Sequence, residues 1–323
     1  MLNPERDIFV ISDLHLGDRG KRDNFFLPGK DQKENKVDRL ALFESFLKMV
    51  KKRNGQLVIL GDLFEFWQAN IGEVIKVNLP LLDKLAEMEA IFVVGNHDID
   101  LEPLVENRES VFKHPFFARM TSAFSVKIGG KRIKFFHGHE IDPYNQGNSP
   151  AWGRMMAILA GIVEDKLGAG SVTEVTTEEI LIKIGVDIKN SAASLWDGIE
   201  EKWHELWGNE HEKSLTPAQN TSLVSEHFQH MEKEKEKGEF DIVVCGHTHM
   251  AGKLEDWYVN SGSWVKFENG EPVGNYLQIY PDGQFDVCKI LRDKVDYIAT
   301  EFVRDKETGL VSNFDFEKGI PLG

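Results

Sequence analysis

The chain has 323 residues, enough for one large domain or for two. Its formal net charge of −15 at pH 7 argues against broad nucleic-acid binding through a basic face, although a local basic pocket for one phosphate group is compatible with it. Two cysteines, Cys245 and Cys288, lie in apolar, strand-like contexts and indicate no disulfide framework. The first residues do not form a secretory signal, and the longest apolar run, 155–163, is too short to span a bilayer. We therefore expect a cytoplasmic protein, with a peripheral contact to the inner membrane as a further option.

The first half of the chain alternates apolar strands with amphipathic helices. The pattern predicts strands over 7–12, 56–60 and 91–94, and helices over 35–53 and 73–88. This alternation is typical of a βαβαβ unit with a parallel sheet. A hairpin is predicted next, with Gly129-Gly130 joining strands over 125–128 and 132–136.

The second half begins with a change of pattern. From about 149 to 238 the sequence indicates helices without a clear strand. A strand over 240–245 follows, and then short strands near 258, 276–280 and 285–290. Residues beyond 291 are charged and interrupted by Gly and Pro, so no element is assigned to them.

Five of the predicted strands end in side chains that can ligate a metal. They are Asp13 and His15, Asp62, Asn96 with His97, His137, and His247 with His249. A lone histidine is more often structural than a ligand, but open α/β sheets bind ligands at the ends of their strands. Five such strand ends in one chain favour a shared site.

The mixture of His, Asp and Asn favours two divalent cations over a structural zinc site, which thiolates usually close. A cation pair about 3.5–4 Å apart needs nitrogen and oxygen ligands and one bridging carboxylate. Such a pair makes hydroxide from a shared water and clamps phosphoryl oxygens while that hydroxide attacks phosphorus in line. The ligand types favour Mn²⁺, with Fe or Zn as alternatives.

Five motifs follow one another along the chain: DLH, GDLFEFW, GNHD, HGHE and GHTH. In their sequence and their order they resemble the motifs of the calcineurin-like metallophosphoesterase superfamily. The resemblance implies an α/β fold, a four-layer α/β/β/α sandwich of two mixed sheets. It also implies that residues 1–148 and 239–323 form the catalytic domain and that 149–238 is a helical cap inserted into it.

The resemblance also implies a role for each site residue. The first metal is held by Asp13, His15, Asp62 and His249, and the second by Asp62, Asn96, His137 and His247, with Asp62 as the bridge. His97 stabilises the transition state and protonates the leaving oxygen, and Asp98 orients His97. Four residues are candidates for substrate contact, with solvated loop charge or a structural role as the alternatives: Arg19, Arg22, Arg154 and His139.

Within the superfamily, GDLFEFW and the helical insertion are similar to the UDP-2,3-diacylglucosamine pyrophosphatase branch of lipid A synthesis. That branch usually has arginine at the position of His97, and acidic residues where Gln68-Ala69-Asn70 stand here. Four tryptophans fall in the insertion: Trp152, Trp196, Trp203 and Trp207. The last three share one helical face. That face fits either a core stripe or an apolar groove for an acyl chain or a nucleobase.

The expected function is that of a dinuclear metal-dependent phosphoester hydrolase. Its substrate would be a phosphorylated small molecule or a lipid-linked compound with a diphosphate or phosphodiester bond, such as UDP-2,3-diacylglucosamine. The alternatives are a general phosphomonoesterase and a nucleotide or nucleic-acid phosphodiesterase, of which the acidic charge disfavours the nucleic-acid enzyme. A non-catalytic scaffold is the remaining alternative, but such a protein would be expected to lack some ligands or His97.

Overall fold

The structure is a computed structural model that describes residues 2–20, 23, 25–26, 39–106, 114–141, 217–265, 267–268, 271–290, 295–297, 300–304, 311–315 and 320–322. In this part of the chain the strands are β1 (Ile8–Ile11), β2 (Gln56–Leu60), β3 (Ile91–Val93), β4 (Met120–Thr121), β5 (Ala123–Ile128), β6 (Lys131–Phe136), β7 (Ile242–Cys245), β8 (Gly252–Leu254), β9 (Tyr258–Asn260), β10 (Phe267–Glu268), β11 (Glu271–Pro272), β12 (Gly274–Ile279), β13 (Phe285–Ile290), β14 (Val295–Tyr297), β15 (Thr300–Arg304), β16 (Val311–Asp315) and β17 (Ile320–Leu322). The helices are α1 (Arg39–Lys52), α2 (Ile71–Glu87) and α3 (Pro217–Glu236), with short 3₁₀ helices at Ile99–Leu104 and Pro115–Arg119.

Two mixed sheets form the centre of the molecule. The first has the strand order β14-β13-β12-β1-β2-β3-β4, in which β1 to β4 run parallel and β12 joins β1 antiparallel. The second has the order β17-β16-β15-β8-β9-β7-β6-β5, in which β6, β7 and β9 run parallel. The prediction of two mixed sheets is confirmed.

The alternation of side chains along each strand divides the core into layers. In β1, Ile8 and Val10 face the second sheet, whereas Phe9 and Ile11 face the helices on the other side. The layer between the sheets takes apolar residues from both, including Val58, Leu60, Ile133, Phe135 and Val244. Residues of α1 and α2 pack on the outer face of the first sheet, and residues of α3 pack on the outer face of the second. The layers therefore follow the expected order α/β/β/α.

The elements predicted for the first half are confirmed to within a few residues. Helix α2 begins two residues earlier than predicted, because Asn70 Oδ1 accepts hydrogen bonds from the amides of Gly72 and Glu73 and so caps the helix. The hairpin turn has Gly129 at φ 54° and Gly130 at φ 84°, the left-handed pair that a type I′ turn requires.

The C-terminal region contains strands that the sequence did not predict. The part beyond residue 291, to which no element was assigned, contains β14 to β17, which extend both sheets at their edges. Within 149–238 the structure describes α3, and no described helix is long and apolar enough to cross a membrane. The four tryptophans of the insertion lie outside the described residues, as does most of the proposed cap, so its bounds stay a prediction.

Candidate metal centre

The predicted metal ligands of both sheets come together at one place. His249 Nε2 lies 3.1 Å from Asp13 Oδ1, and His137 Nε2 lies 3.3 Å from Asp62 Oδ2. The amide of His247 donates to Asp13 Oδ2 at 3.2 Å, which connects β7 with β1. Three groups have their ligand atoms within 4.8 Å of one another: Asp13, His15 and His249; His15, Asp62 and His97; Asp62, His137 and His247. These groups overlap, so they form one continuous cluster.

Most of these ligands stand on a left-handed backbone, which is rare for residues with a Cβ. The φ angles are 55° at Asp13, 50° at His15, 48° at Asp62, 66° at His247 and 57° at His249. Each such residue costs on the order of 1–3 kcal/mol and persists only where the surrounding structure holds it. Five of them at predicted ligand positions indicate that the chain gives up stability to aim these side chains at one point.

Gly95 allows the third strand to approach the ligands closely. A Cβ at this position would overlap the backbone nitrogen and the Oδ1 atom of Asp62. Gly95 therefore lets the backbone turn close beneath the ligand cluster.

Asp62 lies at the centre of the cluster. Its Oδ1 atom accepts a hydrogen bond from the amide of His97 at 2.8 Å, and its Oδ2 atom faces the Nε2 atoms of His137 and His15 at 3.3 and 3.8 Å. Burial raises the pKa of Asp62, but the charges of His137 and His97 outweigh burial and hold this pKa well below its usual range. Asp62 is therefore an ionised carboxylate between two groups of ligands, the place of a bridging ligand.

His15 and His137 each have one ring nitrogen fixed by the protein. Nδ1 of His137 lies 2.7 Å from the carbonyl oxygen of Leu60, and Nδ1 of His15 lies 3.2 Å from Glu65 Oε2. The Nε2 atoms then point into the cluster, where Asn96 Oδ1 lies 3.0 Å from that of His137. An acceptor on one ring nitrogen is the usual support for a metal-binding histidine.

Asp13 gives a direct test of whether the residues fit a cation. Its Oδ1 atom is buried, and the polar side-chain atom facing it is His249 Nε2, at 3.1 Å. In addition, the Nε2 atoms of His15 and His249 face each other at 3.3 Å. Buried carboxylate and imidazole atoms that converge in this way fit a divalent cation better than a set of internal hydrogen bonds.

Cation binding should release protons, because the pKa values of His15 and His137 are both raised above 7. Burial lowers the pKa of His15, but its hydrogen bond to Glu65 and the charge of Asp62 raise it to about 9. Burial likewise lowers the pKa of His137, and Asp62 raises it to about 10. We expect Mn²⁺ to displace about two protons per chain at pH 7, and its affinity to rise as the pH increases towards 9. Calorimetry in buffers of different ionisation enthalpy measures this release, and a buffer-independent enthalpy would contradict the prediction.

Glu65 is a site residue that the sequence analysis missed. Its side chain is buried, and one oxygen, Oε2, lies 2.8 Å from His97 Nδ1 and 3.2 Å from His15 Nδ1. Burial raises the pKa of Glu65, but the charge of His97 and the hydrogen bond from His15 lower it to about 2. The indole of Trp67 stacks on the His97 ring with centroids 3.9 Å apart. Glu65 and Trp67 therefore fix the orientation of His97.

Asp98 contacts other groups than the sequence analysis expected. Its carboxylate accepts hydrogen bonds from the amides of Gly95 at 2.6 Å and Phe64 at 3.2 Å. Burial, together with the charge of Asp62, raises the pKa of Asp98 to about 7. The short side chain turns back onto its own loop, so it fixes the GNHD turn, and Glu65 takes the place beside the His97 ring.

The sequence comparison agrees with this geometry. Residues 7–251 match the calcineurin-like phosphoesterase family. The chain belongs to that family. Similar solved structures include a dimetal phosphatase from Danio rerio (12% identity, TM-score 0.43, covering 92% of this chain and 99% of that one) and Vacuolar Protein Sorting 29 from Cryptosporidium parvum (11% identity, TM-score 0.38, covering 90% and 95%). Wild-type Vps29 from Entamoeba histolytica, complexed with zinc, is another (14% identity, TM-score 0.37, covering 90% and 96%). No curated protein matches the sequence.

Family membership and the clustered Asp and His residues support a metal-dependent phosphoesterase with a dinuclear divalent site. In this phosphoesterase the carboxylates are buried, whereas His97, His247 and His249 are partly exposed. These three histidines mark the side of the centre that solvent and substrate can reach.

The candidates for substrate contact differ in their positions. Arg19 is exposed on the loop after His15, with its guanidinium carbon 4.7 Å from the centroid of Phe26. His139 is buried, with its ring centroid 5.5 Å from that of His137, a position that suits support of the ligand rather than contact with substrate. Arg22 and Arg154 lie outside the described residues.

Helix α3 contributes a further residue that the sequence analysis missed. His227 is fully buried, and its ring lies nearly parallel to that of His247, with centroids 5.8 Å apart. A Cβ on Gly138 would come within 2.7 Å of the His227 ring, so this phosphoesterase has a glycine where helix and ligand strand meet. The helical spacing around His227 gave no sign of this contact, because it joins segments far apart in the chain.

Removal of the Glu65 charge should slow catalysis while leaving the fold intact. We expect Glu65→Gln to lower kcat by about 10–100-fold, the usual effect of losing a residue that orients a ligand or catalytic histidine. Steady-state kinetics at saturating Mn²⁺ measures this loss. Glu73→Gln is a matched control because Glu73 is exposed at the start of α2. Equal kcat values for the two variants would contradict the role given to Glu65.

Proposed function

We propose that this phosphoesterase uses two divalent cations to hydrolyse a diphosphate or phosphodiester bond, with UDP-2,3-diacylglucosamine as the first candidate substrate. The observation that carries the proposal is the position of His97, which is held by Glu65 and Trp67 beside the ligand cluster. An oriented imidazole at the open side of the centre suits protonation of a leaving oxygen.

The ligands divide into two sets that share Asp62. Asp13, His15, Asp62 and His249 would hold the first cation, and Asp62, Asn96, His137 and His247 the second. Two such cations supply a water of lowered pKa and a clamp for phosphoryl oxygens. The nitrogen and oxygen ligands favour Mn²⁺, with Fe or Zn as alternatives.

The proton path follows from the contacts of His97. The Nδ1 atom of His97 lies 2.8 Å from the ionised carboxylate of Glu65, which can only accept a hydrogen bond. Nδ1 therefore carries a hydrogen and donates this hydrogen bond. Nε2 is then the atom that gives a proton to the leaving oxygen. A ring that acts as the acid carries a proton on both nitrogens, and the carboxylate of Glu65 lies where it would stabilise that charged form.

The charge of the centre does not choose between a monoester and a diester, because two divalent cations would offset the four buried carboxylates Asp13, Asp62, Glu65 and Asp98. The proposal of a diester or diphosphate linkage therefore rests on the sequence. The GDLFEFW motif and the helical insertion, which we propose as a cap over residues 149–238, favour a nucleotide–lipid within this class. Such a substrate would suit a cytoplasmic enzyme with a peripheral contact to the inner membrane.

A substrate panel tests the proposal. We expect Mn²⁺-dependent hydrolysis of bis-p-nitrophenyl phosphate to exceed that of p-nitrophenyl phosphate, and UDP-2,3-diacylglucosamine to give UMP and a lipid phosphate. EDTA should abolish each reaction. A preference for the monoester would instead identify a general phosphomonoesterase, and preferred cleavage of cyclic nucleotides a nucleotide phosphodiesterase. No hydrolysis with two metals bound would indicate a non-catalytic scaffold.

Among the candidates for substrate contact that the structure describes, Arg19 is exposed and His139 is buried, so Arg19 is the one we propose to contact a substrate phosphate. We expect Arg19→Ala to raise KM for the nucleotide–lipid about 5–20-fold with little change in kcat, because a charge-assisted hydrogen bond at the rim is lost. Arg132→Ala is the matched control, since Arg132 lies near the start of β6 and the ligand His137 follows the end of that strand. Identical KM values for the two variants would leave Arg19 as a solvated loop residue.

A further inference from the structure

The turn that carries His247 and His249 has a strained backbone. It follows β7 as Gly246-His247-Thr248-His249, with φ angles of 66° and 57° at the two histidines. Two left-handed residues with side chains within three positions persist only where neighbouring groups hold the turn. The groups that do so therefore determine where both ligands point.

The side chain of Asn260, at the end of β9, holds this turn. It is fully buried, and its Nδ2 atom donates to the carbonyl oxygen of Gly246 at 2.6 Å and to Thr248 Oγ1 at 3.1 Å. Its Oδ1 atom accepts a hydrogen bond from the amide of Gly262 at 2.9 Å. One amide group therefore pins the residues immediately before and after His247.

The segment that begins at Asn260 also reaches the strand end that carries Asp13. The amide of Trp264 and the hydroxyl of Ser263 both donate to the carbonyl oxygen of Asp13, at 3.1 and 3.3 Å. The indole nitrogen of Trp264 donates to the carbonyl oxygen of Asn275 at 2.9 Å, which anchors the segment on β12. Residues 260–264 thus connect a ligand of the first sheet with the ligand turn of the second.

We propose that Asn260 is a positioning residue of the metal centre that keeps His247 and His249 in place for both cations at once. The inference rests on the proposed two-metal site. Since His247 belongs to the second cation and His249 to the first, release of their common turn weakens both sites together. Loss of a single ligand would instead weaken mainly the site to which that ligand belongs.

Asn260→Asp tests this assignment. The variant keeps the shape of the side chain and the acceptor for Gly262, but it places an oxygen against the carbonyl of Gly246. We expect its affinity for Mn²⁺ to fall about 10–100-fold at both sites, as for other residues that orient ligands. Calorimetric titration with Mn²⁺ alone measures the affinities. In the metal-free variant, hydrogen exchange at the amides of Thr248 and His249 should be faster, and hydrolysis should recover at saturating Mn²⁺.

Two further variants separate positioning from general destabilisation. Thr248→Val removes one acceptor of the Asn260 amide, so it should weaken both sites by a smaller factor; it keeps the test decisive if Asn260→Asp does not fold. Gln56→Glu is the control, because Gln56 is also a buried side-chain amide but lies at the start of β2, the end of that strand remote from Asp62. We expect it to leave the Mn²⁺ affinities unchanged.

The outcomes distinguish the two proposals. If the wild-type protein binds no Mn²⁺, the proposed function fails. If it binds two ions and both Asn260→Asp and Thr248→Val bind them with wild-type affinity, the role of Asn260 is overturned while the proposed function stands.

Discussion

The substitution Asp62→Asn should abolish most of the hydrolytic activity. Asp62 faces His15 and His137 with one oxygen and holds the amide of His97 with the other, so the substitution removes the charge shared by both ligand sets. We expect kcat/KM to fall by about 10³-fold or more, because a clamped cation pair contributes several kcal/mol to transition-state stabilisation. Bound Mn²⁺ should fall below two ions per chain. Steady-state kinetics and elemental analysis of the same sample measure the two effects.

The control for this substitution is Asp7→Asn. Asp7 immediately precedes β1 and accepts a hydrogen bond from Gln278, whereas Asp13 follows the other end of that strand. We expect the control to keep its metals and its activity. Near-wild-type turnover by Asp62→Asn would show that Asp62 does not bridge two cations.

His97→Ala should separate catalysis from metal binding. Its ring contacts Glu65 and Trp67 and belongs to neither ligand set, so its loss leaves the metal ligands in place. We expect two bound Mn²⁺ ions and a kcat lower by about 10²–10⁴-fold, the usual contribution of a positioned general acid. The loss should be larger for a diester with an unactivated alkoxide leaving group than for one that releases p-nitrophenolate, which needs no proton.

The leaving-group dependence is what identifies a proton donor. His230→Ala is a suitable control, because His230 lies on α3 with about half of its side chain exposed. An equal loss for both leaving groups in His97→Ala would mean that His97 binds the phosphoryl group without protonating the leaving oxygen.

The sequence predicted the parts of the fold that depend on local patterns. Strand β2 and the hairpin turn at Gly129-Gly130 follow from apolar runs and turn residues, and α1 and α2 follow from helical spacing. Pairing between distant segments could not be predicted in this way. The antiparallel contact of β12 with β1 joins residues about 270 positions apart, and β14 to β17 come from short, charged segments without a clear alternation.

At the candidate site, too, residues with a local sequence signal could be predicted, whereas contacts between distant segments could not. The motif residues that follow the strands, such as Asp13 and His249, meet as their positions at strand ends implied. Glu65 stands in the GDLFEFW motif three residues after Asp62, and a carboxylate so close to a ligand was a signal that could have identified it. The contact of His227 with His247 had no such signal, since it depends on how α3 packs against the second sheet.

The central claim is that hydrolysis depends on two cations held by one cluster of ligands. The most direct measurement is hydrolysis of bis-p-nitrophenyl phosphate by metal-free protein supplied with known equivalents of Mn²⁺, with the bound ions counted in each sample. We predict that activity rises steeply and reaches its maximum at two bound ions per chain. Maximal activity with one bound ion, or with none, would contradict the two-metal centre.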